Sequence, residues 1–201
     1  MIEYSLVMRD SLSVSSSVRV GARIAATSAG AGEVSATECP TTTGACRIGD
    51  PNLVVAAAVA IAQAGTAMPK NAIDEVWVYQ ANNSGYPTNA EPLSSTTYNN
   101  NALGATDAAT AFANVNGCAH ACIRYVWSDT FGRFVYGGGS WDTSLINACI
   151  NDVKAQSVGV YMKATHPFIT RLFGLNFPLQ DHTVMMFEPL PSNQCLPTKH
   201  Q

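Results

Sequence analysis

Residues 157–166 read SVGVYMKATH, and their alternation decides the fold. Val158, Val160, Met162 and Ala164 fall on one side of an extended chain, with Gly159, Tyr161, Lys163 and Thr165 on the other. A period of two, with one side apolar, is the mark of a β-strand lying on a core. Four further stretches share the character of this one. DEVWVYQA (74–81) sets Glu75, Trp77 and Tyr79 against Val76, Val78 and Gln80 and reads as a half-buried strand. CIRYVWS (122–128) and RFVYGG (133–138) make a hairpin around DTFG (129–132), and QDHTVMMFEP (180–189) is a closing strand stopped by Pro189. Between the last strands, PFITRLFG (167–174) reads as a short amphipathic helix or helical turn, and SWDTSLINACIND (140–152) as a short helix or turn.

Upstream of these strands the period is helical. From Ile2 to Thr27, Val7, Val14, Val18 and Ala25 recur at intervals of seven and four, and Gly30 in SAGAG (28–32) is the stop. The serines between Ser11 and Ser17 lower the intrinsic propensity, so packing must hold this helix. A second helix is read in DPNLVVAAAVAIAQAG (50–65), with Asp50 as N-cap, Pro51 at the first position and Gly65 as stop. It carries almost no charge, which predicts burial on most faces. The stretch 82–116 is rich in Asn, Ser, Thr and Gly and reads as a long irregular insertion, with a short helix near DAATAFAN (107–114). The expected architecture is α+β: two helices packed on an antiparallel sheet of about four strands.

Composition narrows the function classes. Charged residues make up 12% of the 201 residues, about half the usual share of roughly 25%. With a net charge of -3 and a pI of about 5.7, the chain lacks the basic footprint that nucleic acid requires. The six cysteines, Cys39, Cys46, Cys118, Cys122, Cys149 and Cys195, contain no CxxC pair and read as a disulfide framework of an oxidising, extracytoplasmic compartment. PTTTGA between Cys39 and Cys46 is a turn-rich loop short enough for those two to pair; the other pairings stay open. No run of apolar residues is long enough to span a bilayer.

Three places in the sequence could carry catalytic or metal chemistry. CAHAC (118–122) offers Cys118, His120 and Cys122, which on a strand would share a face, with His166 or His182 as a fourth ligand. In an oxidising compartment the cysteines pair instead. Asp181 and His182 are adjacent, so on a strand they face opposite sides and cannot form the carboxylate–imidazole part of a triad. YGGGSW (136–141) lacks the lysine of a phosphate loop. The expectation is therefore no catalytic residue, no metal and no cofactor. The aromatics Trp77, Tyr79, Tyr125, Trp127 and Trp141 are read either as sheet packing or as a face for a glycan.

Three stretches together resemble one family. They are MIEYSLVMRDSLSVSSSVRVGARIAATSAG (1–30), with its RxGAR segment; LVVAAAVAIAQAGTAMPKNAIDEVWVYQA (53–81); and SVGVYMKATHPFITRLFGLNFPLQDHTVMMFEP (157–189), with an H-x-F-x-T-x-x-F turn and a DHTVMxxEP strand. They are similar to the TadE-like minor pilins, or pseudopilins, of the tight-adherence (Tad, or Flp) pilus systems of bacteria. The resemblance covers about half the chain and leaves 82–116 unmatched. It implies a pilin-like fold in which residues 1–30 are the outer half of an anchoring and assembly helix, whose membrane-crossing half precedes Met1, and 31–201 are an extracytoplasmic head. It also implies a non-enzymatic, secreted and membrane-anchored subunit of a surface pilus used in adhesion, with other pilin-like subunits or copies of itself as partners. On that expectation Ile2, Leu6, Val7, Val14 and Val18 form the assembly interface, and Glu3 makes an intersubunit pair. The competing expectation is an extracellular adhesive module that recognises a surface glycan through Trp77, Tyr79, Tyr125, Trp127 and the Asn-rich insertion.

Overall fold

The computed structural model describes residues 2–39, 44, 46–64, 68–88, 108–113, 118–149, 156–169 and 174–190. Its elements run α1 (Ile2–Thr27), α2 (Asn52–Gln63), β1 (Ile73–Ala81), α3 (Ala108–Ala111), β2 (Cys122–Ser128), β3 (Arg133–Ser140), β4 (Ser157–Pro167) and β5 (Asn176–Met186). The fold is α+β, and its antiparallel sheet has five strands in the order β3-β2-β1-β4-β5 rather than about four. The additional strand arises because every segment with a period of two joins one ladder. β1 takes the centre, the β2–β3 hairpin flanks it on one side, and β4 with β5 flanks it on the other. β4 and β5 pair without a slip from Ser157↔Met186 to Pro167↔Asn176.

α1 and α2 cover one face of this sheet. Val14, Val18, Ala22 and Ala25 of α1 and Leu53, Ala57 and Ile61 of α2 pack on Val76, Val78, Ile123, Val158, Val160 and Met162, all buried. α1 lies along β4 and β5. The helices cross closely where Gly21 faces Ile61: a Cβ on Gly21 would stand 2.7 Å from Ile61 Cδ1. Alanines dominate this crossing because only small side chains let two backbones and a sheet meet at such distances.

The other face is not open. Trp77 and Tyr79 of β1 and Tyr161 of β4 are covered by Phe112, which follows α3, and by Cys118 and Cys122. The half-buried reading of β1 is thus corrected: Val76, Trp77, Val78, Tyr79 and Gln80 are all fully buried. Alternation showed two chemically distinct faces, and the cover over the aromatic one comes from a segment far away in sequence.

Two local readings change. Asp50 is not the N-cap of α2, since Pro51 holds that position with no side-chain cap. The chain enters α2 through a short bridge, with Asn52 N–H donating to Gly32 O and Val34 N–H to Asp50 O, and the Asp50 side chain turns inward. CAHAC is not a strand: Ala121 sits at φ 47° and Cys118 is disulfide-bonded to Cys122, so only Cys122 enters β2. The short helix or turn read in 140–152 is, within the described residues 140–149, a 3-10 turn, Thr143–Leu145, capped by Asp142, which accepts from the Ser144 N–H. The turn read in PFITRLFG lies mostly outside the described residues; Phe168, at its start, donates its N–H to Leu175 O and closes the β4–β5 connection. Within 82–116 only 82–88 and 108–113 are described, the first as a turn in which Asn82 Oδ1 accepts from the Ser84 and Tyr86 N–H groups.

Gly159 carries a clear test of this packing. It pairs with Tyr79, and a Cβ at Gly159 would fall inside the buried Tyr79 ring, whose hydroxyl donates to Gly85 O at 3.0 Å. Gly159→Ala is expected to lower the unfolding free energy by about 2 kcal/mol, the cost of overpacking a rigid site. Urea denaturation measures this, and an unchanged midpoint would contradict the packing.

Candidate functional site

The residues expected to form an assembly interface divide between two sides of α1. Val14 and Val18 are 1% and 0% exposed, packed in the main core against the sheet. Glu3 is also turned inward, at 6% exposure, and is not displayed for an intersubunit pair. Leu6 and Val7 are half-buried, with Val7 touching the core. Ile2 belongs to α1, and its side chain lies outside the described residues. The outer side of the helix carries Tyr4 at 71%, Met8 at 46% and Leu12 at 68% exposure. These three recur every fourth residue and form one apolar row. Their spacing was visible in the sequence, but the row of valines at seven and four was the stronger signal, and it belonged to the core.

What fastens α1 is polar as well as apolar. Asp10, 2% exposed, accepts from His166 Nδ1 at 2.7 Å through Oδ2, and from Arg9 Nε and Nη2 at 3.0 and 2.9 Å through Oδ1. His166, on β4, is 4% exposed, and its Nε2 has no hydrogen-bond partner among the described residues. Since the Asp10 carboxylate accepts, the Nδ1 of His166 carries the proton. One turn further along, Ser15 Oγ donates to Asp181 Oδ2 of β5. Asp181 therefore faces α1, while His182 lies against Tyr86 and Phe112 on the opposite side. The expectation that these neighbours diverge holds.

The thiols are engaged. Cys39 pairs with Cys46, as the short loop suggested, and Cys118 with Cys122, which removes the two thiolates of a Cys/His metal site. Cys149 is disulfide-bonded as well, and Cys195 lies outside the described residues. The described residues contain no cluster of metal-ligating side chains.

The aromatics proposed as a ligand face do not share one. Trp77 and Tyr79 point into the aromatic cluster, where Phe112 stacks on Tyr161 at 3.9 Å between centroids. Tyr125 and Trp127 belong to the helix-covered side, Tyr125 buried and Trp127 half-buried with its Nε1–H donating to Asp129. Trp141 is buried in the same core. A sugar stacks on an exposed ring, and four of these five rings are covered.

Another buried carboxylate lies just before α2. Asp50 is 3% exposed, and burial pushes its carboxyl up to about 6, against the opposing pull of the Arg47 charge and the Trp141 N–H. Asp before Pro is a common cap pair, but here the Glu33–Pro51 backbone bridge leads the chain into α2 and the Asp50 side chain caps nothing.

Two outcomes follow for stability. Asp10→Ala leaves the His166 Nδ1–H buried without an acceptor and is expected to cost about 3 kcal/mol, whereas Arg9→Ala, at a side chain 51% exposed, should cost less than about 1 kcal/mol. Equal effects in urea denaturation would contradict the burial of the pair. Asp50 has a folded pKa above its unfolded value, so folding takes up a proton and stability is lost as pH rises through about 4 to 6. Asp50→Asn, which keeps an acceptor for the Trp141 N–H, should stabilise the protein by about 2 kcal/mol at neutral pH and by little at pH ~4. Parallel curves for the two proteins across that range would contradict it.

Comparisons of the chain with protein-family models, with curated proteins and with solved structures found no match.

Proposed function

We propose that this chain is a pilin-like, non-enzymatic subunit of a Tad/Flp-type bacterial surface pilus, acting outside the cytoplasm and serving adhesion. The observation that carries the reading is the form of α1. It is a 26-residue helix whose inner face packs on the sheet while its first turns present apolar side chains outward, beginning with Tyr4 at 71% exposure. Exposed apolar side chains at the start of such a helix are a surface for other subunits, since burying each contributes about 1.5 to 3 kcal/mol. The assembly residues in this reading are Ile2, Tyr4 and Leu6, with Val7 at their inner border; Val14 and Val18 instead hold the head together. The disulfides are compatible with an oxidising compartment. No helix among the described residues is long and apolar enough to cross a membrane, so anchoring is part of the proposal and rests on the resemblance of residues 1–30.

In the bacterium that expresses the chain, sheared surface appendages should contain it, and Tyr4→Asp should reduce its share in that fraction by at least about tenfold, the equivalent of roughly 1.4 kcal/mol. The purified variant should keep the wild-type circular dichroism and melting temperature. Absence of the wild-type chain from the sheared fraction would refute the reading.

A further inference from the structure

The two edges of the sheet are treated differently. At β3 the edge is partnered: Tyr136 donates its N–H to Gly44 O at 2.8 Å, and Arg47 reaches Gly139 O at 3.2 Å, so Gly44 and Arg47 lie against it. At β5 the ladder ends, and no described residue pairs with its outer side from Asn176 to Met186. A strand edge without a partner among the described residues presents every second backbone N–H and C=O outward and is a template for another strand. Beside it runs a cleft of about 400 Å³ between Ser11, Val14 and Ser15 of α1 and residues 177–181 of β5. Met8 and Leu12 stand three residues before Ser11 and Ser15, on the same side of the helix and outward of the cleft.

We infer that a second copy of this chain occupies this edge, its β5 pairing antiparallel with β5 and its α1 packing against α1 about a two-fold axis perpendicular to the sheet. Geometry favours a copy over an unrelated strand. α1 lies over β4 and β5, and strands are spaced by about 4.8 Å, so a two-fold at the β5 edge sets the two α1 axes about 10 Å apart. That is the separation at which helices pack. A lone foreign strand would fill the edge and leave Met8 and Leu12 in water, whereas the two-fold covers both at once. Charge permits it as well: Asp181 is the one charged residue of β5 and is already bonded by Ser15, and the helix side facing the seam offers Met8, Ser11, Leu12 and Ser15, with the exposed Arg19 one turn beyond, which antiparallel helices set apart from its copy. Ser15 is bonded to Asp181, so when the strand pairing centres on Gln180 the helices cross near Ser15, and the two Leu12 side chains, one turn earlier, flank the two-fold axis. In that register each Asp181 opposes Leu179 of the other copy, and the carboxylates do not face each other. Pro178 has no N–H and removes a bond at the seam, which keeps the association reversible.

The pairing does not depend on the pilus reading, and it is tested on the purified chain. Sedimentation equilibrium should show a monomer–dimer equilibrium that Leu12→Glu weakens by at least about tenfold with the melting transition preserved. Gln180→Cys should give a disulfide-linked dimer on mild oxidation, and Asn71→Cys, exposed in a turn at another part of the surface, should not. A chain that stays monomeric at millimolar concentration, or a dimer that Leu12→Glu leaves intact, would overturn the inference.

Discussion

The contact between Asp10 and His166 is the constraint on which the rest of this structure depends. α1 is a poor helix by propensity, with a run of serines in its middle and no basic residue in its last turn. It persists because its inner face is buried, and two polar contacts fix where it lies: His166 on β4 holds Asp10, and Asp181 on β5 holds Ser15. A buried pair of this kind adds little net stability, because desolvating both groups offsets most of their attraction. Its role is positional. Sliding α1 by one turn would leave a carboxylate and an imidazole unpaired in an apolar interface, so the alternatives are excluded and one register remains.

That register decides what the surface offers. With Val14, Val18 and the alanines turned to the sheet, Tyr4, Met8 and Leu12 must face outward, and the helix comes to rest beside the unpaired edge of β5. The second face of the sheet is closed by Phe112 among Trp77, Tyr79 and Tyr161. Among the described residues, exposed apolar side chains recur along α1 at Tyr4, Met8 and Leu12 and at Phe177 and Met186 of β5. The low charge of the chain has the same consequence: little repulsion guards this surface.

Much of this was legible in the residues. The limits of α1, the hydrophobic second helix, all five strand segments and the Cys39–Cys46 loop follow from period, turn chemistry and spacing. What was not legible is long-range. The cover over Trp77 and Tyr79 comes from Phe112, more than thirty positions away across a stretch without periodicity. Val14 and Val18 fit a helix seam and a sheet-facing stripe equally well, and only the position of β4 chooses between them. His166 and Asp10 carry no mutual signal, since nothing in a sequence marks two polar residues as partners across 156 positions. Asp50 matched a local capping rule that a backbone bridge overrode.

The middle of α1, from Asp10 to Val18, is an integral layer of the fold, held on the sheet by buried contacts rather than projecting from it. Native-state hydrogen exchange tests it directly. The amides from Asp10 to Val18 are expected to exchange as slowly as those of Val158 to Ala164 in β4, as one cooperative unit. Exchange of the α1 amides at the rate of an unstructured chain, while β4 stays protected, would contradict it.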